Sequence, residues 1–236
     1  MTDIKKFPNT DTKPITILSI GHPEREQRTI ENIIPPLIRG DVLSQANVAY
    51  WLISVGQDDD GVYNMNRAFN DAMRECQSPI IVFTSGDAVI TPQLLWRAYG
   101  VHLETWRPVI TMRVDETGEG SGEGVANNHA IGDFMLMPRK WAVECGGWDE
   151  RMLSWGFADY ALCMRLEALN HPPVVLGERM QDRAIHLWHP RRAEGDEWYR
   201  EQNRINQRIY RDGPTWTQDD FMAGRERVEE ALVCAE

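Results

Sequence analysis

The sequence predicts an α/β protein built around an open, mostly parallel sheet flanked by helices. Three features point there. β-Branched apolar runs recur at Ile15–Ile20, Val48–Gly56 and Ile80–Thr84, each of strand length. Segments with helical spacing separate them, which is the strand–helix–strand order of a parallel sheet. The chain has 236 residues, 42% of them hydrophobic, with nine tryptophans. That length suits one such domain with a helical appendage.

Taken in order, residues 1–13 are polar and read as a flexible lead. Ile15–Ile20 is a buried strand closed by Gly21. Glu24–Leu37 carries Ile30, Ile33, Ile34 and Leu37 at helical spacing and breaks at Pro35-Pro36. Val48–Gly56 is the second strand. Gln57-Asp58-Asp59-Asp60-Gly61 follows, either a solvated acidic turn or a cation site. Tyr63–Cys76 reads as a helix with Met65, Ala68, Phe69 and Ala72 on one side. Its Arg67 suits phosphate by geometry, or is an ordinary surface arginine. Ile80–Thr84 is the strongest strand of the chain and runs into Ser85-Gly86-Asp87. Thr91–Leu103 is a helix, with Pro92 near its start. Val109–Val114 is a strand. Asp115–Asn128 is rich in Gly, Glu and Asn and reads as a loop, either a mobile acidic flap or an inert insertion. Ala130–Met137 is a strand leading through Pro138 into the helix Arg139–Cys145, and Val174–Leu176 is a short strand.

Ala184–Pro190 contains His186 and His189. The β-like composition and Pro190 argue against helical spacing, and an extended segment sends the two rings to opposite faces. Arg191–Arg211 is a helix that mixes Arg192, Arg200, Arg204, Arg208 and Arg211 with Trp198, Tyr199 and Tyr210. Such a helix could track phosphates with aromatic stacking, or pair with the acidic body. Asp219–Glu236 reads as a charged terminal helix.

The formal charge is −11 at pH 7, which opposes broad electrostatic binding to nucleic acid or anionic membrane. Cys76, Cys145, Cys163 and Cys234 are scattered without CxxC spacing, as expected in a reducing compartment. The N-terminus lacks the apolar stretch of a signal peptide, and no run reaches the ~20 apolar residues of a membrane span. The expectation is a soluble, cytoplasmic protein.

The most informative stretch is Gly146-Gly147-Trp148-Asp149-Glu150, continued by Trp155-Gly156-Phe157-Ala158-Asp159. It begins on a turn that only glycine enters freely. It ends on a carboxylate in the first turn of a helix, where the dipole favours the ionised form. An ionised carboxylate beside tryptophans is what a general base for a sugar-like ligand needs. It is equally what a helix N-terminus packed on core tryptophans looks like.

This stretch resembles the GGFDE…GWGxEDxDL segment of GT-A fold glycosyltransferases, the family-2-like and galactosyltransferase-like members especially. Gly146, Gly147, Asp149, Glu150, Trp155, Gly156 and Asp159 match, while Ala158 and Ala161 replace acidic positions. The resemblance implies a GT-A domain over 14–190, with a nucleotide-sugar half at 14–90 and an acceptor and catalytic half at 91–190. Residues 191–236 form a helical extension.

The same resemblance implies roles. The end of the first strand, Ile20 and Gly21, meets the donor base, with Asp58 near the position that contacts uracil. Arg67 approaches the diphosphate. Ser85-Gly86-Asp87 stands where the family has its metal-binding Asp-x-Asp, so Asp87 keeps one of the two carboxylates. His186 or His189 completes the metal site, His186 favoured by its place at the strand end. Trp148, Trp155 and Gly156 border the acceptor, and Asp159 is the base.

The implied reaction moves a sugar from a nucleotide-diphosphate donor, a UDP-sugar by preference, to an acceptor hydroxyl. It proceeds with inversion and with help from Mn²⁺ or Mg²⁺. Two acceptor classes stand open: a glycan or small metabolite, and a hydroxymethylated base in DNA, as in phage-type DNA glucosyltransferases. A non-enzymatic reading also stands, a degenerate sugar-nucleotide or glycan-binding module, because Ser85, Ala158 and Ala161 have lost family carboxylates.

Overall fold

A computed structural model describes residues 2–7, 13–23, 26–32, 34, 37, 48–55, 64–118, 123–127, 133–153, 156–189, 197–213 and 215–223. The strands, in chain order, are β1 (Thr2–Phe7), β2 (Ile15–Gly21), β3 (Val48–Val55), β4 (Ile80–Ser85), β5 (Ala88–Val89), β6 (Val109–Thr111), β7 (Arg113–Glu116), β8 (Gly124–Asn127), β9 (Met135–Pro138), β10 (Val174–Leu176) and β11 (Ala184–His186). The helices are α1 (Glu26–Asn32), α2 (Met65–Glu75), α3 (Pro92–Thr105), α4 (Arg139–Glu144), α5 (Ala158–Ala168), α6 (Glu197–Arg211) and α7 (Gln218–Ala223).

Among the described residues seven strands form the main sheet, in the order β1-β3-β2-β4-β9-β6-β10. β2 runs parallel to both β3 and β4, and β6 runs parallel to β10. β1 and β9 are antiparallel to their neighbours. The expected mostly parallel mixed sheet with flanking helices is thus present. A second sheet, β5-β11-β7-β8, stands beside it.

The core follows from strand alternation. β3 is buried along its whole length, with Ala49, Trp51, Ile53 and Val55 on one face and Val48, Tyr50 and Leu52 on the other. The first set packs with Phe69 of α2 and Leu162 of α5. The second packs with Leu94, Leu95 and Ala98 of α3. A strand covered on both sides reads as a continuous apolar run, which is why it was legible. Caps mark the helix starts. The Asn64 side chain accepts from Arg67 N at 2.9 Å, and Thr91 Oγ1 accepts from Leu94 N at 3.1 Å ahead of Pro92.

Three elements differ from the sequence expectation. Residues 2–7, read as part of a flexible lead, form the edge strand β1 against β3. Its alternation is masked by lysines, which suit an edge; Lys6 lies 4.1 Å from the Trp51 ring centroid and 3.4 Å from Glu75 Oε2. The expected strand Val109–Val114 is two strands in two sheets. Met112 is the junction: its N–H donates to Leu176 O at 3.0 Å and its carbonyl accepts from Ala184 N at 3.2 Å. The expected loop Asp115–Asn128 contains part of β7 and all of β8, which pair antiparallel from Arg113↔Asn127 to Glu116↔Gly124. Charged residues and Gly124 hid that hairpin, because polar strands lack the apolar period.

The Gly-Gly turn after α4 is a structural latch. Gly146 and Gly147 have φ of 86° and 64°, and Gly147 N donates to Ala142 O at 2.7 Å. A Cβ on Gly147 would lie 2.5 Å from Asn70 Oδ1 and 2.8 Å from the Phe221 ring. Gly147→Ala therefore combines left-handed strain with overpacking. We expect a loss of about 3 kcal/mol, seen as a fall of roughly 6–12 °C in Tm. An unchanged Tm would mean that the turn relaxes freely.

Candidate active site

The site is assembled at the carboxyl end of β4. Gly86 N donates to Ile20 O at 2.5 Å, and Thr29 Oγ1 donates to Gly86 O. A Cβ on Gly86 would lie 2.9 Å from Ile20 O and 3.0 Å from Gly21 Cα. Glycine is required there because the ends of β2 and β4 approach so closely. The turn presents Asp87, which is buried. Leu187 N donates to Asp87 O at 2.7 Å, fixing the segment after β11 against it.

Both histidines reach this carboxylate. His189 Nε2 lies 2.9 Å from Asp87 Oδ2, and His186 Nε2 lies 3.5 Å from Asp87 Oδ1. One ligand atom from each of the three residues falls within 4.8 Å of the others. The opposite-faces expectation fails because β11 ends at His186, so the alternation does not extend to His189. One carboxylate and two imidazoles suit a borderline divalent ion such as Mn²⁺. They leave coordination positions for phosphate oxygens and water.

Ser85, in place of a carboxylate, has recruited one. Its Oγ donates to Asp133 Oδ1 at 2.8 Å, and Thr84 Oγ1 donates to Asp133 O at 2.7 Å. Asp133 Oδ2 accepts from Arg113 Nη1 at 3.1 Å. Asp159 lies within the electrostatic reach of both. Burial raises its carboxyl from the ordinary 3.8 to about 6, and the Asp133 charge adds to that rise. Backbone N–H groups of Tyr160 and Asp159 itself, and the Arg113 guanidinium, pull the other way. The helix-start position predicted a plainly ionised carboxylate; desolvation outweighs the dipole here. The group is still mostly ionised at neutral pH.

No known protein-family profile matches the chain, and no curated protein matches it in sequence. Solved structures do match. The catalytic domain of Drosophila β1,4-galactosyltransferase 7, in complex with xylobiose, superimposes with a TM-score of 0.60 at 12% identity, covering 83% of this chain and 80% of that one. A mannosyltransferase from Pyrobaculum calidifontis with GDP-Man and Mn²⁺ gives 0.53 at 14% identity, over 94% and 71%. GalNAc-T7 with UDP, GalNAc and Mn²⁺ gives 0.55 at 8%, over 85% and 48%.

The chain has the GT-A fold.

Within this GT-A frame the sequence-derived residues separate. Ile20, Gly21, Ser85, Gly86 and Asp87 lie together at the ends of β2 and β4, joined by the contacts above. Asp58 and Trp155 fall outside the described residues. Trp148, expected beside the acceptor, lies in the core: it is 2% exposed, stacked on Phe69 at 5.0 Å and set edge-on to Phe83 at 5.2 Å. A large aromatic after a tight turn is drawn inward when the turn faces the core. Gly156, with φ of 97°, is exposed but packs toward α6; a Cβ there would lie 2.6 Å from Asn203 Nδ2.

Arg67 is committed elsewhere. Its Nε lies 3.3 Å from Glu150 Oε2, and that carboxylate is buried under Asn70 Nδ2 at 2.8 Å and Arg74 Nη2 at 3.4 Å. Asp149, also buried, takes a two-point contact from Arg151 at 2.9 and 2.7 Å. This acidic pair therefore holds the turn, with each buried charge partnered. Sequence reasoning missed Asp133, Arg113 and Asp115. Asp133 was read as strand interior and Asp115 as loop, and no local pattern marks either. Cys76, Cys145 and Cys163 are buried free thiols. Among the described residues no helix is long and apolar enough to cross a membrane.

Proposed function

We propose that this chain is a glycosyltransferase that moves a hexose from a nucleotide-diphosphate donor, a UDP-sugar, to the hydroxyl of a glycan or small acceptor, with inversion. The observation that carries this reading is the Asp87–His186–His189 cluster at the carboxyl ends of the strands, where ligands of open α/β sheets sit. The solved GT-A structures that resemble this chain include ones holding Mn²⁺ with UDP-Gal, UDP or GDP-Man.

Each residue has a task. Asp87, His186 and His189 would hold the divalent ion. When bound there, such an ion would supply positive charge for the departing nucleoside diphosphate. Gly86 lets the ends of β2 and β4 close together beside the donor, since a side chain there would collide with the Ile20 carbonyl. Asp159 takes the proton of the attacking hydroxyl; its carboxyl near 6 makes it basic yet still ionised at neutral pH. Attack from the side opposite the leaving group is what gives inversion. Asp133, bridged to Ser85 and Arg113, adds its charge to the rise that burial gives Asp159.

The test is thermal stability with UDP, GDP, CDP and dTDP, each with and without Mn²⁺. A nucleotide at about 100 times its Kd adds roughly 2.7 kcal/mol, or a Tm rise of roughly 5–10 °C. The expected result is a Mn²⁺-dependent rise with UDP. A rise with another nucleotide would reassign the donor base, and no rise with any of the four would remove the donor reading.

A further inference from the structure

The second sheet is the device that builds the metal cluster, and it brings one residue the cluster itself does not use. In β11 the parallel register sets His186 opposite Asp115 of β7, and the antiparallel register sets it opposite Ala88, the residue after Asp87. Neighbouring residues in register share a face. Ala88, His186 and Asp115 therefore stand in a row across three strands, and Asp87, one residue before β5, meets His186 from the turn.

The ring of His186 lies between two carboxylates. Its Nε2 faces Asp87 Oδ1 at 3.5 Å, and its Nδ1 faces Asp115 Oδ1 at 3.6 Å. Asp115 has an ion-pair partner of its own. Arg113, two residues earlier on the same face of β7, holds Asp115 Oδ1 through Nε at 2.7 Å. The same guanidinium holds Asp133 Oδ2 through Nη1 at 3.1 Å, and Asp133 in turn holds Ser85.

From this arrangement the structure assigns Asp115 as the positioning residue of the metal centre: its carboxylate stands 3.6 Å from His186 Nδ1 across the strand pair, poised to hold the ring so that Nε2 points at an ion beside Asp87. A ligating imidazole needs a partner on its other nitrogen, because that partner fixes both tautomer and ring angle. Asp115 is the group that faces that nitrogen. Arg113 acts one step further out, by locking Asp115 in place and tying it to Ser85 through Asp133. The assignment rests on the proposed metal-dependent reading of the Asp87 cluster.

Mn²⁺ binding to the full chain, followed by loss of the free-ion EPR signal, tests it without any turnover. Asp115→Ala should weaken Mn²⁺ about 10- to 100-fold. Asp115→Asn, whose amide oxygen still accepts from Nδ1–H, should recover most of that loss. Pulsed EPR of bound Mn²⁺ should show nitrogen coupling from two imidazoles in the unaltered protein and in Asp115→Asn, and from one in Asp115→Ala. If Asp115→Ala does not fold, Asp115→Val, which suits a strand, takes its place with the same expectations. Unaltered affinity and both nitrogen couplings in the folded Ala or Val variant would overturn the assignment while leaving the metal site intact. No Mn²⁺ binding by the unaltered chain would overturn both. Weakened Mn²⁺ in the variant, with no sugar transfer by the unaltered chain, would support the assignment and remove the transferase reading.

Discussion

Asp159→Asn is expected to abolish sugar transfer and to make the protein more stable at pH 7.5. The first effect follows from losing the proposed general base, a role that contributes about 10²- to 10⁴-fold in rate. Donor binding should persist, because the residues proposed for the donor at the ends of β2 and β4 are untouched. The second effect follows from linkage. The Asp159 carboxyl is raised from 3.8 to about 6 by burial first, then by the Asp133 charge. A raised folded pKa means that the folded state holds its proton better than the unfolded state. Its contribution is full below about 3.8 and is lost as pH climbs through about 6. At pH 7.5 the native protein therefore carries a charge that opposes folding, each tenfold difference in proton affinity between the two states being worth about 1.4 kcal/mol. Asparagine removes that charge and keeps an acceptor for the Tyr160 N–H. A gain of about 2 kcal/mol, or roughly 4–8 °C, is expected at pH 7.5. The gain should shrink as the melt is repeated at lower pH. The rate of the proposed transfer by the unaltered protein should fall in step below pH 6. Transfer at the native rate by the variant would take Asp159 out of the chemistry.

Arg67→Ala is expected to cost stability and to leave nucleotide binding alone. Glu150 is 1% exposed at its side chain, and Arg67 Nε at 3.3 Å is one of its two guanidinium partners. Breaking a buried ion pair from one side costs about 3–5 kcal/mol, because the remaining charge is left in a poor solvent. Arg74 and Asn70 stay in place, so roughly 2–3 kcal/mol is expected, read by urea titration. The Mn²⁺-dependent affinity for UDP should change less than about threefold, a range in which indirect effects are common. A tenfold loss of UDP affinity at unchanged stability would return Arg67 to the donor diphosphate, the place the family resemblance gave it.

The contrast between Arg67 and Asp87 shows what was legible. Asp87 follows a long apolar strand, and that local context marks the end of a sheet where ligands bind. Arg67 lies on a helix whose partner, Glu150, is 83 residues away in sequence; no local pattern separates a phosphate arginine from one that neutralises a buried carboxylate. Trp148 was open for the same reason. The sequence allowed a ligand wall or a core tryptophan, and the ring packs on Phe69 and Phe83. Asp133 and Asp115 went unseen because their meaning lies wholly in cross-strand neighbours.

The sequence by itself determined the βαβ order, the strands read at Ile15–Ile20, Val48–Gly56 and Ile80–Thr84, the Gly-Gly turn and Asp87 at a strand end. Those rest on short-range rules: apolar period, β-branching and the freedom of glycine. Only the tertiary structure decided that Met112 passes the chain from one sheet to the other. That switch sets β7 beside β11, joins both histidines to Asp87, and places Asp115 and Asp133 on either side of Arg113. Strand register across long sequence separations is fixed by how whole sheets pack, and no segment of this chain carries that information alone.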